Sequence, residues 1–258
     1  MNSLGLLEDS LKSYGKDRML YRVMTLEQFI DMMLGRPDDV SHLPVNRLVR
    51  PWMWEDPYEK LLLRDDMKKS LNSECWFGQC WSVMEESDSI WRMISKNYVQ
   101  RCVKIKVSLD NLLESLREYD NSDSFFILDA IKYTGKKVID DFANYTEAIN
   151  QIIKDNPEFE EEGLKILFSI LFMKRIPFEN EREVRLLVCD KTAKEKDKTW
   201  TYPFDVNKYV EEIVFDPWTK DYQLKLYKSL LDDIGVDNVK EKLRTSDLYK
   251  RLKISKEK

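Results

Sequence analysis

Three glutamates stand on alternate residues in the segment FENEREVRLLV, directly before an apolar run that is typical of a strand. In an extended backbone successive side chains point to opposite faces, so we expect Glu179, Glu181 and Glu183 to share one face. We expect Arg182 and Arg185 on the other face. Crowding like charges is costly, because each carboxylate disfavours the ionisation of its neighbours. The pattern indicates either a site that uses these acids or an edge strand guarded by charge.

Tryptophans are concentrated in one part of the chain, and five of the seven fall between positions 52 and 91. Large aromatic faces suit a pocket that stacks a flat ring such as a nucleobase or nicotinamide, although tryptophan also fills protein cores. For Trp76, Trp81 and Trp91 we expect core packing. Trp54 stands in the turn-rich loop PWMWEDPYE beside acids, and a loop with aromatic and acidic residues favours a place at a site.

Residue scarcities exclude several mechanistic classes. The chain has seven glycines and no G-x-G-x-x-G or G-x-x-x-x-G-K-[ST] loop, so we expect no glycine cradle for phosphate. The single histidine, His42, stands in the loop-like stretch RPDDVSHLP, which excludes a histidine-rich metal centre. The four cysteines form no C-x-x-C pair, so neither a zinc site nor a disulfide framework is indicated. Cys80 and Cys102 have apolar neighbours that suggest packing.

Charge is distributed unevenly along the chain. The formal net charge is -5, but residues 240–258 hold eight Lys or Arg against three Asp or Glu. Such a basic segment on an acidic body is able to contact nucleic acid, a membrane or an acidic partner, although it is often only a solvated helix end. No apolar run reaches the roughly 18 residues that span a bilayer, and the first residues lack the order of a signal peptide. We therefore expect a cytoplasmic protein without membrane contact.

The elements that must position these residues are a mixture of strands and helices. Strand patterns cover Met19 to Met24, Val45 to Val49, Cys75 to Ser82, Val99 to Val107, Phe125 to Tyr133, Arg182 to Cys189, Trp200 to Phe204 and Glu212 to Phe215. Helical patterns cover TLEQFIDMMLG with Thr25 as its cap, EESDSIWRMIS, parts of Val138 to Met173, and Tyr222 to Leu231. We expect the strands at 182–189 and 200–204 to pair across the lysine-rich loop between them.

With no repeat and no linker, residues 1–258 are predicted to form a single α+β domain that ends in the basic segment 240–258. Its core is expected to be a mixed, mostly antiparallel sheet flanked by helices. This economical arrangement accounts for all the strand and helix patterns without a second domain.

Over nearly its whole length the chain resembles a widespread group of bacterial proteins of unassigned function. The ordered landmarks are Tyr21-Arg22 on the first strand, WEDPYE, CWS followed by ESDSIW, and FENEREVR. A second resemblance is to ADP-ribosyltransferases of the Arg-Ser-Glu type. These have an aromatic-Arg pair on the first core strand, a Ser-Thr-Ser-like strand in the middle and a Glu-x-Glu before a late apolar strand.

In this chain LYR at 20–22, QCWS at 79–82 and ERE at 181–183 stand in the same order. The middle element departs from the family, because Cys80-Trp81-Ser82 replaces Ser-Thr-Ser. Either Cys80 or Ser82 is therefore the counterpart of the functional serine.

The resemblance to ADP-ribosyltransferases implies an ADP-ribosyltransferase-like fold, NAD as the cofactor and no metal. Glu183 would stabilise the oxocarbenium-like ribose, and Glu181 would orient the nucleophile of the acceptor or take its proton. Arg22 would hold the pyrophosphate or ribose through its forked donors, and Ser82 would position nicotinamide or Glu183. The other candidates for contact with the nucleotide are Tyr21, Trp54 and Trp81.

The activity that this resemblance implies is mono-ADP-ribosylation of a macromolecular acceptor, whether RNA, DNA or protein. Such an enzyme would act as a toxin or in phage defence, with a neutralising antitoxin as a partner. Two alternatives remain open. A metal-dependent nuclease would use Asp56, Glu179 and Glu183 around magnesium, with the basic segment on the nucleic-acid backbone. A non-catalytic module would use the aromatic pocket to bind a nucleotide or a partner protein.

Overall fold

The computed structural model describes residues 18–35, 44–54, 56, 58–59, 75–119, 124–156, 169–236 and 243–250. His42, residues 157–168, and residues 240–242 and 251–258 of the basic segment lie outside this description. The strands are β1 (Met19–Thr25), β2 (Val45–Val49), β3 (Trp76–Ser82), β4 (Cys102–Ser108), β5 (Ser124–Ala130), β6 (Lys132–Thr134), β7 (Met173–Arg175), β8 (Glu183–Asp190), β9 (Thr199–Pro203), β10 (Val210–Phe215) and β11 (Leu243–Thr245). The helices are α1 (Leu26–Leu34), α2 (Asp88–Ile94), α3 (Leu109–Glu118), α4 (Lys136–Asp155), α5 (Val206–Tyr209) and α6 (Asp221–Asp233). Short 3₁₀ helices occupy Pro51–Met53, Ile170–Phe172 and Ile176–Glu181.

Local sequence signals set the ends of the first helices. The hydroxyl of Thr25 accepts a hydrogen bond from the backbone N–H of Gln28 at 3.2 Å, and the Gln28 side chain accepts from the backbone N–H of Thr25 at 3.0 Å. This reciprocal cap starts α1, and Gly35, with a φ of 72°, ends it. Ser87 and Ser108 cap α2 and α3 with their hydroxyls in a similar way. Side chains that the sequence supplies thus fix where these helices begin.

Nine strands of the described chain form one sheet, in the order β11-β10-β4-β1-β3-β2-β9, with β8 and β5 continuing from β3. The pairings in this sheet are antiparallel apart from that of β10 with β11, and β6 pairs with β7 in a separate parallel ribbon. This is the α+β arrangement that the sequence predicts, a mixed and mostly antiparallel sheet flanked by helices. Within the described residues no helix has the length and apolar character needed to cross a membrane.

Strand β3 is shared by two branches of the sheet. Along one edge it pairs with β8 over its whole length, from Trp76 opposite Cys189 to Ser82 opposite Glu183. Its other edge is bridged by β1 at Ser82 and by β2 at Gly78. The two partners β1 and β2 therefore separate along this edge, and the sheet forks there.

Polar side chains fill the gap between the two branches. The side-chain amides of Asn46 and Gln79 bond to each other, with Nε2 of Gln79 donating to Oδ1 of Asn46 at 2.6 Å. Nε1 of Trp81 donates to Oε1 of Gln79 at 2.8 Å, and Nδ2 of Asn46 donates to the hydroxyl of Tyr202 at 2.9 Å. Nη1 of Arg22 also reaches Asn46, at 3.2 Å. This network joins β1, β2, β3 and β9 where backbone pairing is interrupted.

Two strand predictions are wrong. The strand at Trp200 to Phe204 was expected to pair with the one at Arg182 to Cys189. Instead β9 pairs with β2, with Tyr202 opposite Asn46, while β8 lies between β3 and β5. The strand expected from Val99 begins at residue 102, because residues 96–98 form a turn with φ values of 50°, 57° and 65°.

A close approach at Gly78 connects β3 to the loop before it. A Cβ atom at Gly78 would stand 2.4 Å from Cζ2 of Trp54 and 3.1 Å from Cδ2 of Leu187. The indole of Trp54 in turn covers the guanidinium of Arg185, with its ring centroid 4.2 Å from Cζ. Only glycine leaves room for this stack on the sheet.

The substitution Gly78→Ala should destabilise the protein, because the added methyl group must displace the Trp54 ring. We expect the free energy of unfolding to fall by about 1–3 kcal/mol, as in other overpacked cores. Urea unfolding measures the change. Gly135→Ala is the matched control, since a Cβ there meets no atom within 4 Å and its φ of -70° suits alanine. Equal stability of the two variants would contradict the packing role of Gly78.

Candidate functional site

Strand register brings three segments of the chain into one row. Tyr21 on β1 stands opposite Ser82 on β3, and Ser82 stands opposite Glu183 on β8. Directly opposed residues on adjacent strands share a face, and strands lie about 4.8 Å apart, so Tyr21 and Glu183 are roughly 10 Å apart across the sheet. The strand register thus brings Tyr21, Ser82 and Glu183, which are distant in sequence, onto one face of the sheet.

A cleft opens over this row. Six of the seven residues that the sequence predicts for the site line it, and the same cleft is lined by apolar residues of α2 and by Lys104. The cleft is partly open to solvent, and its volume is about 80 Å³. This is about half of the roughly 150 Å³ cavity that holds a benzene ring, so a dinucleotide would put only one end inside it. The six predicted residues are Tyr21, Arg22, Trp81, Ser82, Glu181 and Glu183.

The carboxylates of Glu181 and Glu183 form one wall of the cleft, which we call the acidic wall. Glu183 is 3% exposed. Nε of Arg185 donates to its Oε1 at 2.7 Å, and Nζ of Lys174 donates to its Oε2 at 3.1 Å. Its backbone N–H donates to the hydroxyl of Tyr133 at 2.8 Å. Burial raises the pKa of the Glu183 carboxyl, but the charges of Arg185 and Lys174 outweigh burial and lower the pKa to about 2. The carboxylate is therefore ionised and held in place.

Arg185 is the fully buried cation that holds Glu183. Besides its bond to Glu183, it donates from Nη1 to the carbonyl oxygen of Leu171 at 2.6 Å and from Nη2 to Glu59. The prediction that Arg185 lies on the opposite face from Glu183 is wrong, because residues two apart on a strand share a face. The prediction that Trp54 lines the site is also wrong. Trp54 is 8% exposed and packs on Arg185 instead of lining the cleft.

The three alternating glutamates do not share one strand face. Residues 176–181 form a 3₁₀ helix, and Arg182 is left-handed with a φ of 46°, so only Glu183 is on the strand. Glu181 nevertheless turns towards the cleft, where its Oε2 accepts from Nζ of Lys174 at 2.7 Å. Burial raises the pKa of Glu181 despite that contact. Glu179 is exposed.

Ser82 joins the acidic wall to β3. Its hydroxyl donates to the backbone carbonyl of Glu181 at 2.6 Å and accepts from the backbone N–H of Met84 at 3.0 Å. Cys80 lies two residues earlier on the same face and is exposed in the cleft, so the prediction that it packs in an apolar environment is wrong. Its thiol donates to Glu183. Both candidates for the serine position therefore contact the acidic wall.

Arg22 stands at the basic side of the cleft and differs from Arg185 in its partners. Its Nη1 donates to the amide oxygen of Asn46 at 3.2 Å, and no acid in the described part of the chain forms an ion pair with it. Burial lowers the pKa of Arg22 to about 10, which still leaves it charged at neutral pH. A half-buried cation that is balanced by an amide alone is complementary to an anion.

Aromatic rings form the floor and the far wall of the cleft. Trp81 and Trp91 are 2% and 1% exposed, and Tyr21 is 7% exposed. Nζ of Lys104 lies 5.5 Å from the ring centroid of Tyr21 and 5.9 Å from that of Trp91. Burial lowers the pKa of Lys104. The floor therefore combines flat apolar surface with a second cation.

Sequence reasoning assigned no site role to three residues that neutralise or shape the acidic wall. They are Glu59, Lys174 and Arg185. Glu59 and Arg185 stand in the landmarks WEDPYE and FENEREVR, whereas Lys174 stands in none of the landmarks.

The acids proposed for a magnesium site do not come together. Oδ1 of Asp56 accepts from Nη2 of Arg175 at 2.9 Å, and Glu179 is exposed on the 3₁₀ helix. Within the described residues no group of three or more His, Cys, Asp or Glu side chains has the geometry to hold a metal ion. Comparison of the chain with protein-family models, with curated proteins and with solved structures finds no match.

Acidification should destabilise the protein partly through Glu183. An unfolded glutamate titrates near pH 4.5 and the folded one near pH 2, so Glu183 stabilises the fold above pH 4.5 and loses this contribution as the pH falls towards 2. Between about pH 7 and about pH 3, the wild type should lose roughly 2 kcal/mol more unfolding free energy than Glu183→Gln, at about 1.4 kcal/mol per pKa unit. Urea unfolding at the two pH values tests this. Glu179→Gln is the control and should keep the wild-type loss.

Proposed function

We propose that this protein is a mono-ADP-ribosyltransferase with an ADP-ribosyltransferase-like fold, which uses NAD to modify a macromolecular acceptor. One observation carries the proposal: Tyr21, Ser82 and Glu183 stand in one row across three adjacent strands, and Arg22 lines the same cleft. These residues belong to the three elements whose order along the chain resembles that enzyme class. Such an activity suits a toxin or a phage-defence effector.

The chemistry assigned to Glu183 follows from its charge. When the bond between ribose and nicotinamide breaks, the electron pair leaves with nicotinamide and positive charge develops on the ribose. With a pKa of about 2, the Glu183 carboxyl is ionised at neutral pH and supplies the opposing charge. Each of its oxygens accepts from one cation and has two lone pairs, so capacity remains for a ribose hydroxyl.

Glu181 is assigned to the acceptor. Its carboxylate lines the cleft beside Glu183, and the pKa of Glu181 is raised by burial, which makes it a better proton acceptor than an exposed glutamate. As the nucleophile of the acceptor bonds to the ribose carbon, its proton would pass to Glu181. Ser82 supports this role by fixing the backbone of Glu181 at 2.6 Å.

Arg22 is assigned to the phosphates of NAD. The Arg22 guanidinium is charged and has lost part of its contact with water on folding. A pyrophosphate oxygen would accept hydrogen bonds that water no longer accepts from it. Its forked donors remove the need for a glycine loop. NAD itself combines a cationic nicotinamide ring with an anionic pyrophosphate, and this matches a cleft with acids on one wall and Arg22 on the other.

A second candidate is a non-catalytic module that binds a nucleotide. The observation in its favour is that both oxygens of Glu183 already contact a cation, which weakens the charge available to the ribose. The two functions differ in turnover. A binding module would give a saturable thermal shift with NAD and release no nicotinamide.

The substitution Glu183→Gln should abolish turnover, because it keeps the shape of the side chain and removes its charge. We expect nicotinamide release from NAD to fall at least about 100-fold, the loss typical when one electrostatic stabiliser is removed. Chromatographic measurement of nicotinamide tests this, with circular dichroism to select folded protein. Glu179→Gln, an exposed acid of the same segment, should keep the parental rate. Release at the parental rate by folded Glu183→Gln would overturn the proposal.

The substitution Arg22→Gln should weaken NAD binding without weakening the fold. Glutamine retains a donor for Asn46 but loses the buried charge, so we expect a stability equal to or above that of the wild type. A charge-assisted hydrogen bond is worth about 1.5–3 kcal/mol, which predicts a rise of roughly 10- to 100-fold in the dissociation constant. Calorimetric titration with ADP-ribose measures it. Arg47→Gln, on β2, is the control and should bind ADP-ribose as the wild type does.

A further inference from the structure

Two of the four cysteines meet across the paired strands β3 and β8, at the end of the pair away from the cleft. Cys189 on β8 is the register partner of Trp76, and Cys75 directly precedes Trp76. The thiol of Cys189 donates a hydrogen bond to the sulfur of Cys75. Strands β4 to β7 lie between the two cysteines along the chain, so no spacing motif indicates the pair.

The strand register separates the two backbones by a distance that a disulfide spans. Opposed Cα atoms of an antiparallel pair lie about 4.5–5.5 Å apart, and the next residue is displaced by about 3.4 Å along the strand. The Cα atoms of Cys75 and Cys189 are therefore roughly 6 Å apart, inside the range of about 4.4–6.8 Å that disulfides show. A bond between the two sulfurs would thus need no large movement of either strand.

Cys75 is the thiol of the pair that ionises more readily. The hydrogen bond from Cys189 lowers the pKa of the Cys75 thiol, and a backbone hydrogen bond and the charge of Arg50 add to this effect, so that together they outweigh burial. The same hydrogen bond, together with burial, raises the pKa of the Cys189 thiol. Because the thiolate is the nucleophilic form, Cys75 is the attacking sulfur, and Cys189 keeps its proton beside it.

The other two cysteines lack these features. Burial and the charge of Glu183 raise the pKa of the Cys80 thiol. Burial and the charge of Asp216 raise the pKa of the Cys102 thiol to about 12. Their register partners on the adjacent strands are not cysteines. Both thiols are therefore held protonated, without a second sulfur opposite them on an adjacent strand.

Aromatic rings shield the pair and limit the size of an oxidant. Trp76 and Phe125, the register partners of Cys189 on its two sides, are in edge-to-face contact with their centroids 5.2 Å apart. Directly opposed residues share a face, so both rings lie on the same side of the sheet as the Cys189 thiol. Cys75 and Cys189 are 4% and 5% exposed. This burial leaves little room for a bulky disulfide such as glutathione disulfide, whereas hydrogen peroxide is similar to water in size.

We propose that Cys75 and Cys189 form a site of reversible oxidation by hydrogen peroxide, which joins them in a disulfide between β3 and β8. The Cys75 thiolate attacks one oxygen of the peroxide, the O–O bond breaks, and the leaving hydroxide takes a proton from solvent to become water. The sulfur of Cys189 then attacks the sulfenic acid on Cys75, and the displaced oxygen leaves with the Cys189 proton as a second water. The two thiols lose two electrons, and the peroxide gains them.

The disulfide would fasten the strands that carry the acidic wall without touching the cleft. Glu183 and Cys189 stand near opposite ends of β8, about 20 Å apart at the rise of a strand. The proposal therefore does not rest on the NAD reaction. The bond would close a loop of about 115 residues, and closing a long loop restricts the unfolded chain strongly, so oxidation should stabilise the fold.

Peptide mapping of the full chain tests the proposal. The folded protein is treated with hydrogen peroxide, the remaining thiols are alkylated, and mass spectrometry identifies linked peptides. We expect the loss of two thiols and a link between Cys75 and Cys189 that dithiothreitol removes. Cys75→Ser should leave Cys189 as a thiol, and Cys189→Ser should stop at a sulfenic acid on Cys75 that dimedone traps. Cys80→Ser is the matched control, because Cys80 is exposed, and it should form the link as the wild type does.

Urea unfolding supplies a second measurement. The oxidised protein should unfold at a urea concentration higher by roughly 1 M, and dithiothreitol should restore the original midpoint. Retention of all four thiols by the folded wild type, or a link that forms only in the unfolded chain, would overturn the inference. A midpoint that does not rise on oxidation would also contradict it, since the strand register would then not accommodate the bond. Nicotinamide release, measured separately, keeps the outcome for the proposed enzymatic function distinct.

Discussion

The buried ion pair between Arg185 and Glu183 is the interaction on which the rest of the site depends. Removing two charges from water costs several kcal/mol per ion, and the cost is recovered only where the geometry satisfies the remaining donors and acceptors. Arg185 meets this condition with Glu183, Glu59 and the carbonyl oxygen of Leu171, under the ring of Trp54. Strand β8, the loop before β3 and a 3₁₀ helix are therefore fixed relative to one another by one guanidinium.

The charges around this pair polarise the cleft. Two cations, Arg185 and Lys174, face three acids, Glu59, Glu181 and Glu183, so the acidic wall has a surplus of one negative charge when all are ionised. The raised pKa of Glu181 reflects the burial of the least compensated member. On the other side of the cleft Lys104 forms an ion pair with Glu86 at 3.2 Å, and Arg22 is a cation with no carboxylate partner among the described residues. A ligand that suits both sides has positive charge at one end and negative charge at the other. This charge requirement restricts the choice of ligand more than the need for an aromatic ring does.

Local signals explain which features were predictable from the sequence. Periodicity and the Thr25 cap gave α1, and apolar runs gave β1 and β8, because each depends on neighbouring residues. The helix α3 was missed although Ser108 caps it and its apolar residues recur at helical spacing. The contact of Lys174 with two glutamates was not predictable, since a 3₁₀ helix and the left-handed Arg182 separate them. The pairing of β9 with β2 was not predictable either, because it depends on long-range packing. The loop that joins β8 to β9 does not indicate the partner of β9.

Comparison of the half-buried Arg22 with Arg50 and Arg185, the buried arginines of the described chain, shows how its partners differ from theirs. Arg185 donates to the carboxylates of Glu59 and Glu183, and Arg50 donates to the main-chain carbonyl oxygens of Asp197 and Lys194, each at 2.6 Å. The fold thus satisfies buried guanidinium groups where they serve packing. Within the described residues Arg22 donates to one amide oxygen, that of Asn46 at 3.2 Å, so much of its desolvation cost is not recovered there. Under the proposed function, an anion that enters the cleft would recover that cost by accepting from the Arg22 guanidinium.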